Sequence, residues 1–277
     1  MKEDASAFTK LPDGVYISRA CTRADLREIL GNPTPLGVMG FILSLTPLAC
    51  DLMEWRGAGG FGAATIGTAY FFGGLLLLLA AVLEFILGNT FVFVVFSSYG
   101  AFWLSLAATL TPFYAAYTAY DPASPQNPGF NNSYAFFEVF MGLLCCIYLV
   151  CSIRTNLCFM MIFLSLTIGF CLLAATSWQL ANGNANLARS IKKVSLVIVF
   201  DFAIILAVIS RVNMGTKLTE LFGGAQAGGA FLFIGAMAGW YFLLVQMLAS
   251  VDFPWTLPVG NFSRAVKGAS ERKTKDV

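Results

Sequence analysis

Long apolar runs, separated by short polar links, dominate this chain and leave few alternatives for its fold. A helix needs about 20 consecutive apolar residues to cross the hydrocarbon core of a bilayer, and a helix satisfies its own backbone hydrogen bonds there. Runs of about this length occur at residues 36–53, 61–87, 91–114, 134–153, 157–180 and 228–251. The sequence therefore predicts an all-α polytopic membrane protein, a six-helix transmembrane bundle whose surroundings are the lipid bilayer.

The residues on which most enzyme chemistry depends are scarce. Hydrophobic residues make up 58% of the 277 residues and charged residues only 12%, whereas roughly 25% of a soluble domain is charged. The net charge of +2, without a basic stripe, argues against nucleic-acid binding. The lack of histidine excludes histidine-ligated metals and Ser-His or Cys-His nucleophile pairs. The seven cysteines form no Cys-x-x-Cys pair and are expected to fill space, so we predict no enzyme, no metal site and no cofactor.

One apolar segment does not fit the six-helix pattern. Residues 194–210 are short for a span and carry Asp201 in their middle. Lysine and arginine concentrate in the two tails, at 1–31 and 263–277, and such residues mark cytoplasmic segments. Two cytoplasmic termini require an even number of crossings, so we predict six spans with 194–210 as a possible extra peripheral or re-entrant helix. The alternative is a seventh span with an external C-terminus.

The predicted domain organisation follows from this count. It comprises a mobile cytoplasmic N-terminal tail, a transmembrane domain with an unusual insertion, and a cytoplasmic C-terminal tail, at residues 1–31, 32–262 (insertion 185–227) and 263–277. The proline-rich segment 121–133 is then an exposed external loop. Asn131, within this loop, begins an Asn-x-Ser sequon and is a candidate glycosylation site.

The start of the first apolar run is the most unusual local sequence. Pro33 and Pro35 remove two backbone donors and prevent a regular helix upstream of Pro35. Gly37 and Gly40 leave one face of the following helix bare, so that another backbone can approach closely. Glycines with similar spacing occur in the last run, at Gly235 and Gly239.

Two interpretations of this start remain open. The segment is either a helix start with a proline stop upstream, or an uncoiled stretch that lines a pathway with the Asn32 amide and freed backbone groups facing a cavity. Glu84, in the last turn of the second run, has two equally good interpretations as well. It is an interfacial carboxylate, or a functional one of the kind that membrane spans retain.

Several motifs, in the same order along the chain, resemble those of one family. Residues 32–41 resemble the Asn-Pro-x-Pro-Leu-Gly signature of the acetate uptake transporter family, which includes fungal ammonia/acetate transport proteins and the bacterial succinate–acetate permease. Residues 84–91 resemble its Glu-x-x-x-Gly-Asn-Thr-Phe motif, and residues 98–103 its Ser-Tyr-Gly-x-Phe-Trp motif. Further similar segments follow at 165–174, 228–241 and 253–260.

The resemblance implies a central pathway for acetate and similar small monocarboxylates through each protomer of a hexamer, often together with protons. The family's hydrophobic constriction matches Phe41, Tyr99 and Leu166. An apolar collar of this kind resists hydrated ions by dewetting, while a small carboxylate passes if polar groups lie on either side. The polar pathway candidates are Asn32, Thr34, Ser98, Thr167, Glu84 and Asn89.

Two function classes remain open. The first is a plasma-membrane transporter or channel for acetate and related short-chain monocarboxylates, either proton-coupled or passive. The second is a non-transporting membrane sensor or signalling protein that responds to acetate or ammonium through its tails. Glu138 and Asp201 match no motif of the family, so we assign them no role in transport.

Overall fold

Six long helices contain most of the residues that the structure describes. The computed structural model describes residues 8–10, 16–18, 29–116, 119–120, 127–183 and 227–260. Within these residues, six helices are long and apolar enough to cross a membrane. They are α1 Thr34–Leu52, α2 Ala63–Ile86, α3 Thr90–Leu110, α4 Pro128–Ser152, α5 Leu157–Ala181 and α6 Ala227–Ser250. The predicted all-α, six-span fold is confirmed, while the possible extra helix at 194–210 lies outside the described residues.

The prolines at the start of α1 act as the sequence predicts. Pro33 precedes the helix and Pro35 lies in its first turn, where a missing backbone N–H leaves no helical bond unmade. The Leu36 N–H donates to the Pro33 carbonyl at 3.0 Å, and the Thr34 N–H donates to the Asn32 side chain at 3.1 Å. The Thr34 amide is therefore already bonded and is not one of the freed backbone groups that we expected here.

A stretch of π-helix interrupts α2. The helix opens as a tight turn at Ala63–Thr65, widens into a π-helix over Ala69–Leu76 and continues as a regular α-helix from Leu77. Two adjacent glycines, Gly73 and Gly74, lie within the widened part. Glycine adopts unusual backbone geometry more easily than other residues, and π-helical segments are frequent near functional sites.

Consecutive helices run antiparallel. Early in α1, Thr34 meets Glu84 at the end of α2, whereas Ser44, further along α1, meets Thr68 near the start of α2. The pairs α2–α3, α3–α4 and α4–α5 are antiparallel as well, because in each pair a residue late in one helix contacts a residue early in the other. We call the side on which α1, α3 and α5 begin the proximal side, and the side on which they end the distal side.

The last helix runs back toward the proximal side. Along α6, Gly235 faces Ser165 of α5, and Gly239 then faces Ile42 of α1. After α6, the carbonyls of Val259 and Gly260 accept hydrogen bonds from the Leu157 N–H at 3.2 and 2.9 Å. Since Leu157 begins α5, the start of α1 and the residues that follow α6 lie on the same side of the bundle, as an even number of crossings requires.

The predicted loop at 121–133 is too long. Helix α4 begins at Pro128, with Asn127 as its cap: the Asn127 side chain accepts a hydrogen bond from the Gly129 N–H at 2.7 Å. An Asn-Pro pair at a helix start was the available signal, because asparagine favours the cap and proline the first helical position. Asn131 thus lies in the first turn of α4, and its Nδ2 atom is buried. Its glycosylation stays a prediction, at a site less open than the exposed loop we expected.

The N-terminal tail, which we predicted to be mobile, contains a short β-hairpin. Strand β1, Phe8–Lys10, pairs antiparallel with β2, Tyr16–Ser18, and Phe8 lies opposite Ser18. The sequence between the strands contains Pro12-Asp13-Gly14. That tripeptide is typical of a turn between strands, and it is the local signal from which this hairpin could have been predicted.

The glycines singled out in the sequence lie where helices approach most closely. A β-carbon placed on Gly40 would lie 2.6 Å from the Phe72 carbonyl oxygen, and one on Gly37 would overlap the Phe96 ring. In α6, β-carbons on Gly235 and Gly239 would lie 2.5 Å from atoms of the facing helices. Membrane helices lack a hydrophobic force that draws them together, so close packing at small residues supplies much of their association energy.

Gly40→Ala should therefore destabilise the bundle. The added carbon would meet the α2 backbone, which cannot rotate aside, and overpacking of this kind costs about 1–3 kcal/mol. Gly67→Ala is the matched control, because Gly67 is also helical but has no heavy atom within 4 Å of an added carbon. Thermal unfolding in detergent should show a lower midpoint for Gly40→Ala and an unchanged or higher one for Gly67→Ala. Equal midpoints for the two variants would contradict the close packing of α1 on α2.

Candidate functional site

The three predicted constriction residues lie in the interior of the bundle. Phe41 of α1 packs edge to face against Tyr99 of α3, with ring centroids 5.5 Å apart. Leu166 of α5 belongs to the same buried apolar cluster. We call these three residues the collar. Each comes from a helix that begins on the proximal side, so the collar is built from three helices that run in one direction.

The hydroxyl of the collar tyrosine has a partner that the sequence motifs did not indicate. Tyr99 Oη lies 2.9 Å from the sulfur of Cys145, a fully buried residue of α4. We expected the cysteines only to fill space. The available signal was their register: Cys145 lies on the buried stripe of α4, seven residues after Glu138 and three before Tyr148, and this helical spacing predicts a common face.

A second contact joins α3 and α4 beside the collar. The Tyr148 hydroxyl donates to Ser98 Oγ at 2.9 Å, and Ser98 in turn donates to the Val95 carbonyl at 2.9 Å. The rings of Tyr99 and Tyr148 are 6.3 Å apart. Ser98, a predicted polar candidate, is therefore adjacent to the collar but already holds two hydrogen bonds. Tyr148 was not predicted, because it belongs to none of the motifs.

Three other predicted polar residues meet on the proximal side. Glu84 accepts a hydrogen bond from the Thr34 hydroxyl at 2.5 Å and another from the Asn89 side-chain amide at 2.7 Å. We call Thr34, Glu84 and Asn89 the proximal cluster. The Glu84 side chain is only 1% exposed within the chain, and both of its interpretations, an interfacial carboxylate and a functional one, stay predictions. A buried carboxylate requires donors of this kind, since leaving it unbonded costs several kcal/mol.

The end of α2 has the geometry that brings Asn89 back to Glu84. Gly88 adopts a positive φ of 68°, which glycine accepts without steric cost and which commonly ends a helix. The Asn89 N–H then donates to the Glu84 carbonyl at 2.9 Å. The Gly-Asn pair of the second motif therefore serves to turn the chain and to complete the hydrogen bonding of Glu84.

The remaining polar candidates do not join the proximal cluster directly. Asn32 is exposed, and its side-chain oxygen accepts a hydrogen bond from the Thr34 backbone N–H. It therefore contacts a member of the cluster, and no described hydrogen bond joins it to Glu84 itself. Thr167 donates to the Phe163 carbonyl of its own helix at 2.7 Å. Among the described contacts, Thr167 therefore has only an intrahelical bond, although it neighbours Leu166 in sequence.

A second buried carboxylate lies away from the motifs. Ser177 of α5 donates to the Glu138 carboxylate at 2.7 Å, and Glu138 is buried in α4. None of the six helices contains lysine or arginine. Glu84 and Glu138, whose side chains are buried, are consequently met by neutral donors among the described contacts.

Comparison with known proteins identifies the family of the chain. The GPR1/FUN34/yaaH family matches residues 21–264. Protein alcS of Aspergillus fumigatus is 38% identical over 267 residues, which cover 94% of this chain and 85% of that protein. Acetate permease A of Emericella nidulans is 36% identical over 143 residues, 51% of this chain and 48% of the permease.

A solved structure has the same fold. The bacterial acetate channel SatP superposes with a TM-score of 0.57 at 22% sequence identity, covering 83% of this chain and 99% of the channel. The fold agreement and the family match, which spans most of the chain, confirm the resemblance drawn from the sequence motifs. The chain belongs to the GPR1/FUN34/yaaH family.

Proposed function

We propose that this protein is a membrane transporter or channel for acetate and related short-chain monocarboxylates. The observation that carries this proposal is the ring contact between Phe41 and Tyr99 inside a six-span bundle, in the buried apolar cluster that also contains Leu166. Relatives support the choice of substrate: besides the Emericella permease, the acetate transporter protein patA of Penicillium expansum is 32% identical over 166 residues, 59% of this chain. Relatives named as transporters also fit a protein without catalytic activity.

The collar suits a small substrate with an apolar end. Hydrated ions do not pass an apolar constriction because they would lose their water without replacement, whereas a two- or three-carbon acid presents its methyl group to the rings. With no lysine or arginine in the six helices, a carboxylate inside the bundle meets only neutral donors. Binding of this kind is weak, and weak binding allows the substrate to leave as quickly as it enters.

The proximal cluster is our candidate for coupling transport to protons. A proton-coupled carrier requires a titratable group on the pathway, and Glu84 is the only carboxylate of the recognised motifs. Its partners, Thr34 and Asn89, belong to two different motifs. Since Thr34 is seven residues before Phe41 on α1, the cluster lies about 10 Å from the collar on its proximal side.

We further propose that the protein lies in the plasma membrane, with both termini cytoplasmic, as a homo-oligomer of six copies. The basic tails support the orientation. Apolar side chains exposed along two helices support contacts with lipid or with other copies: Phe71, Leu75, Leu79 and Val82 on α2, and Phe136, Phe140, Leu143 and Ile147 on α4.

Acetate flux in vesicles tests the proposal directly. Purified protein reconstituted into liposomes should release or take up labelled acetate faster than protein-free liposomes. A correctly inserted protein that gives no flux would favour the alternative function, a sensor without transport. Assays above neutral pH limit the passive diffusion of the neutral acid.

Phe41→Ala should weaken selection by size. Removing the ring opens one side of the collar, so that benzoate should pass more easily relative to acetate, and the acetate-to-benzoate flux ratio should fall by about 10-fold. Phe159→Ala is the matched control: both phenylalanines are 7% exposed and lie in transmembrane helices, but Phe159 packs on Phe163 and Phe242, away from Phe41. A ratio that changes equally in both variants would argue against the collar as the selective element.

Glu84→Gln should remove the dependence of acetate uptake on a pH gradient. The amide keeps the shape of the side chain but carries no titratable proton, so an acidic exterior should no longer stimulate uptake above the empty-liposome value. Glu138→Gln is the control, because Glu138 is also buried and also accepts a hydroxyl hydrogen bond, from Ser177. Should wild-type uptake respond to the gradient and Glu84→Gln respond to the same extent, Glu84 is not the coupling residue.

A further inference from the structure

One buried side chain near the collar has an unused hydrogen-bond donor. Trp103 of α3 is 2% exposed, and its indole Nε1 has no hydrogen-bond partner among the residues that the structure describes. Burying such a donor unbonded costs about 1–3 kcal/mol, and groups of this kind in folded proteins call for an explanation. The indole of Trp240, by comparison, donates to the Thr46 hydroxyl at 3.0 Å.

Trp103 lies directly beyond the collar. It follows Tyr99 by four residues on α3, and both are buried, so the two side chains share one face about 6 Å apart along the helix. Ser44 follows Phe41 by three residues on α1 and is also buried. Because α1 and α3 run in the same direction, Trp103 and Ser44 both lie one turn beyond the collar on its distal side.

A glycine brings these two residues together. A β-carbon placed on Gly73 would lie 2.8 Å from Ser44 Oγ and would overlap the Trp103 side chain. Gly73 belongs to the π-helical stretch of α2, so α1, α2 and α3 meet here. The Ser44 hydroxyl donates to the Thr68 carbonyl at 3.0 Å, which leaves the Trp103 N–H as the uncommitted donor of the pair.

We propose that the Trp103 indole N–H binds the carboxylate of the transported monocarboxylate on the distal side of the collar. This inference rests on the proposed function and adds a binding residue to it. The indole N–H is a donor without an acceptor atom, so in hydrogen bonding it attracts the oxygen of an anion. Its ring provides an apolar wall for the short carbon chain, while the N–H meets the carboxylate as it leaves or approaches the collar.

The same geometry explains why the donor is left unbonded in the chain. A donor held permanently by a protein acceptor would not be available to a ligand, and a lysine or arginine would hold the anion too tightly for release. A neutral N–H gives the passing carboxylate a single hydrogen bond, which is weak enough to break when the substrate moves on. The proximal cluster differs in kind, because its two side-chain donors are already bonded to Glu84.

Removing the N–H alone tests the proposal. Two variants remove the N–H: Trp103→Phe, and one carrying benzothienylalanine at position 103, which replaces the N–H with sulfur at nearly unchanged shape. In both, the KM for acetate flux should rise about 10- to 150-fold, as expected for losing one hydrogen bond to a charged group. Trp240→Phe is the control, since its N–H is already bonded to Thr46, and its KM should stay at the wild-type value. A wild-type KM in the benzothienylalanine variant would overturn the proposal.

A spectroscopic readout separates this inference from the proposed function. The ultraviolet resonance Raman band that reports indole hydrogen bonding, taken as the difference between wild type and Trp103→Phe, should shift when acetate is added to purified protein. Equal concentrations of chloride should cause no shift. A band unaffected by saturating acetate, for instance because water already bonds the N–H, would overturn the inference even if vesicles show acetate flux. Conversely, an acetate-dependent shift without flux would support the binding site while the transport proposal fails.

Discussion

The buried carboxylates of this bundle are satisfied without a cation, because none of the six helices contains lysine or arginine. In lipid an unbonded polar group costs several kcal/mol, and this constraint accounts for the pairing of Glu84 with Thr34 and Asn89, and of Glu138 with Ser177. Each partner comes from another helix or from the turn that follows. These hydrogen bonds therefore determine how neighbouring helices are aligned along their axes.

Close packing at glycine is the second requirement, and it depends on the first. Once Thr34 and Glu84 align α1 with α2, Gly40 can lie against the Phe72 carbonyl, and Gly73 leaves room for Trp103 of α3. These approaches bring Phe41 and Tyr99 into ring contact. The apolar collar is thus held from both sides by contacts that a larger residue at either glycine would prevent.

The sequence predicts most of the fold because membrane helices depend on local apolar length. Prediction from the sequence was less reliable at helix ends, because a single capping side chain determines where a helix begins. The Asn127 cap starts α4 earlier than hydropathy indicates. The motifs identified Phe41, Tyr99 and Leu166, and the structure places all three in one cluster. Tyr148 and Trp103 received no role from the sequence, because their contacts depend on what faces them across the bundle, whereas the helical register of Cys145 was an available signal. The segment 194–210 remains a prediction, outside the described residues.

The alternation of helix direction has a consequence for how the protein is made. Collar residues lie on α1, α3 and α5, so no pair of consecutive helices contains two of them. A hairpin of two consecutive helices that leaves the insertion machinery can form its own glycine contacts and its own hydrogen bonds to carboxylates, but it contains only one of the three collar residues. Contacts that are distant in sequence form late, because the chain between them must be ordered first. The three residues of the proposed constriction can therefore come together only when α5 docks, after most of the polypeptide is already in the bilayer.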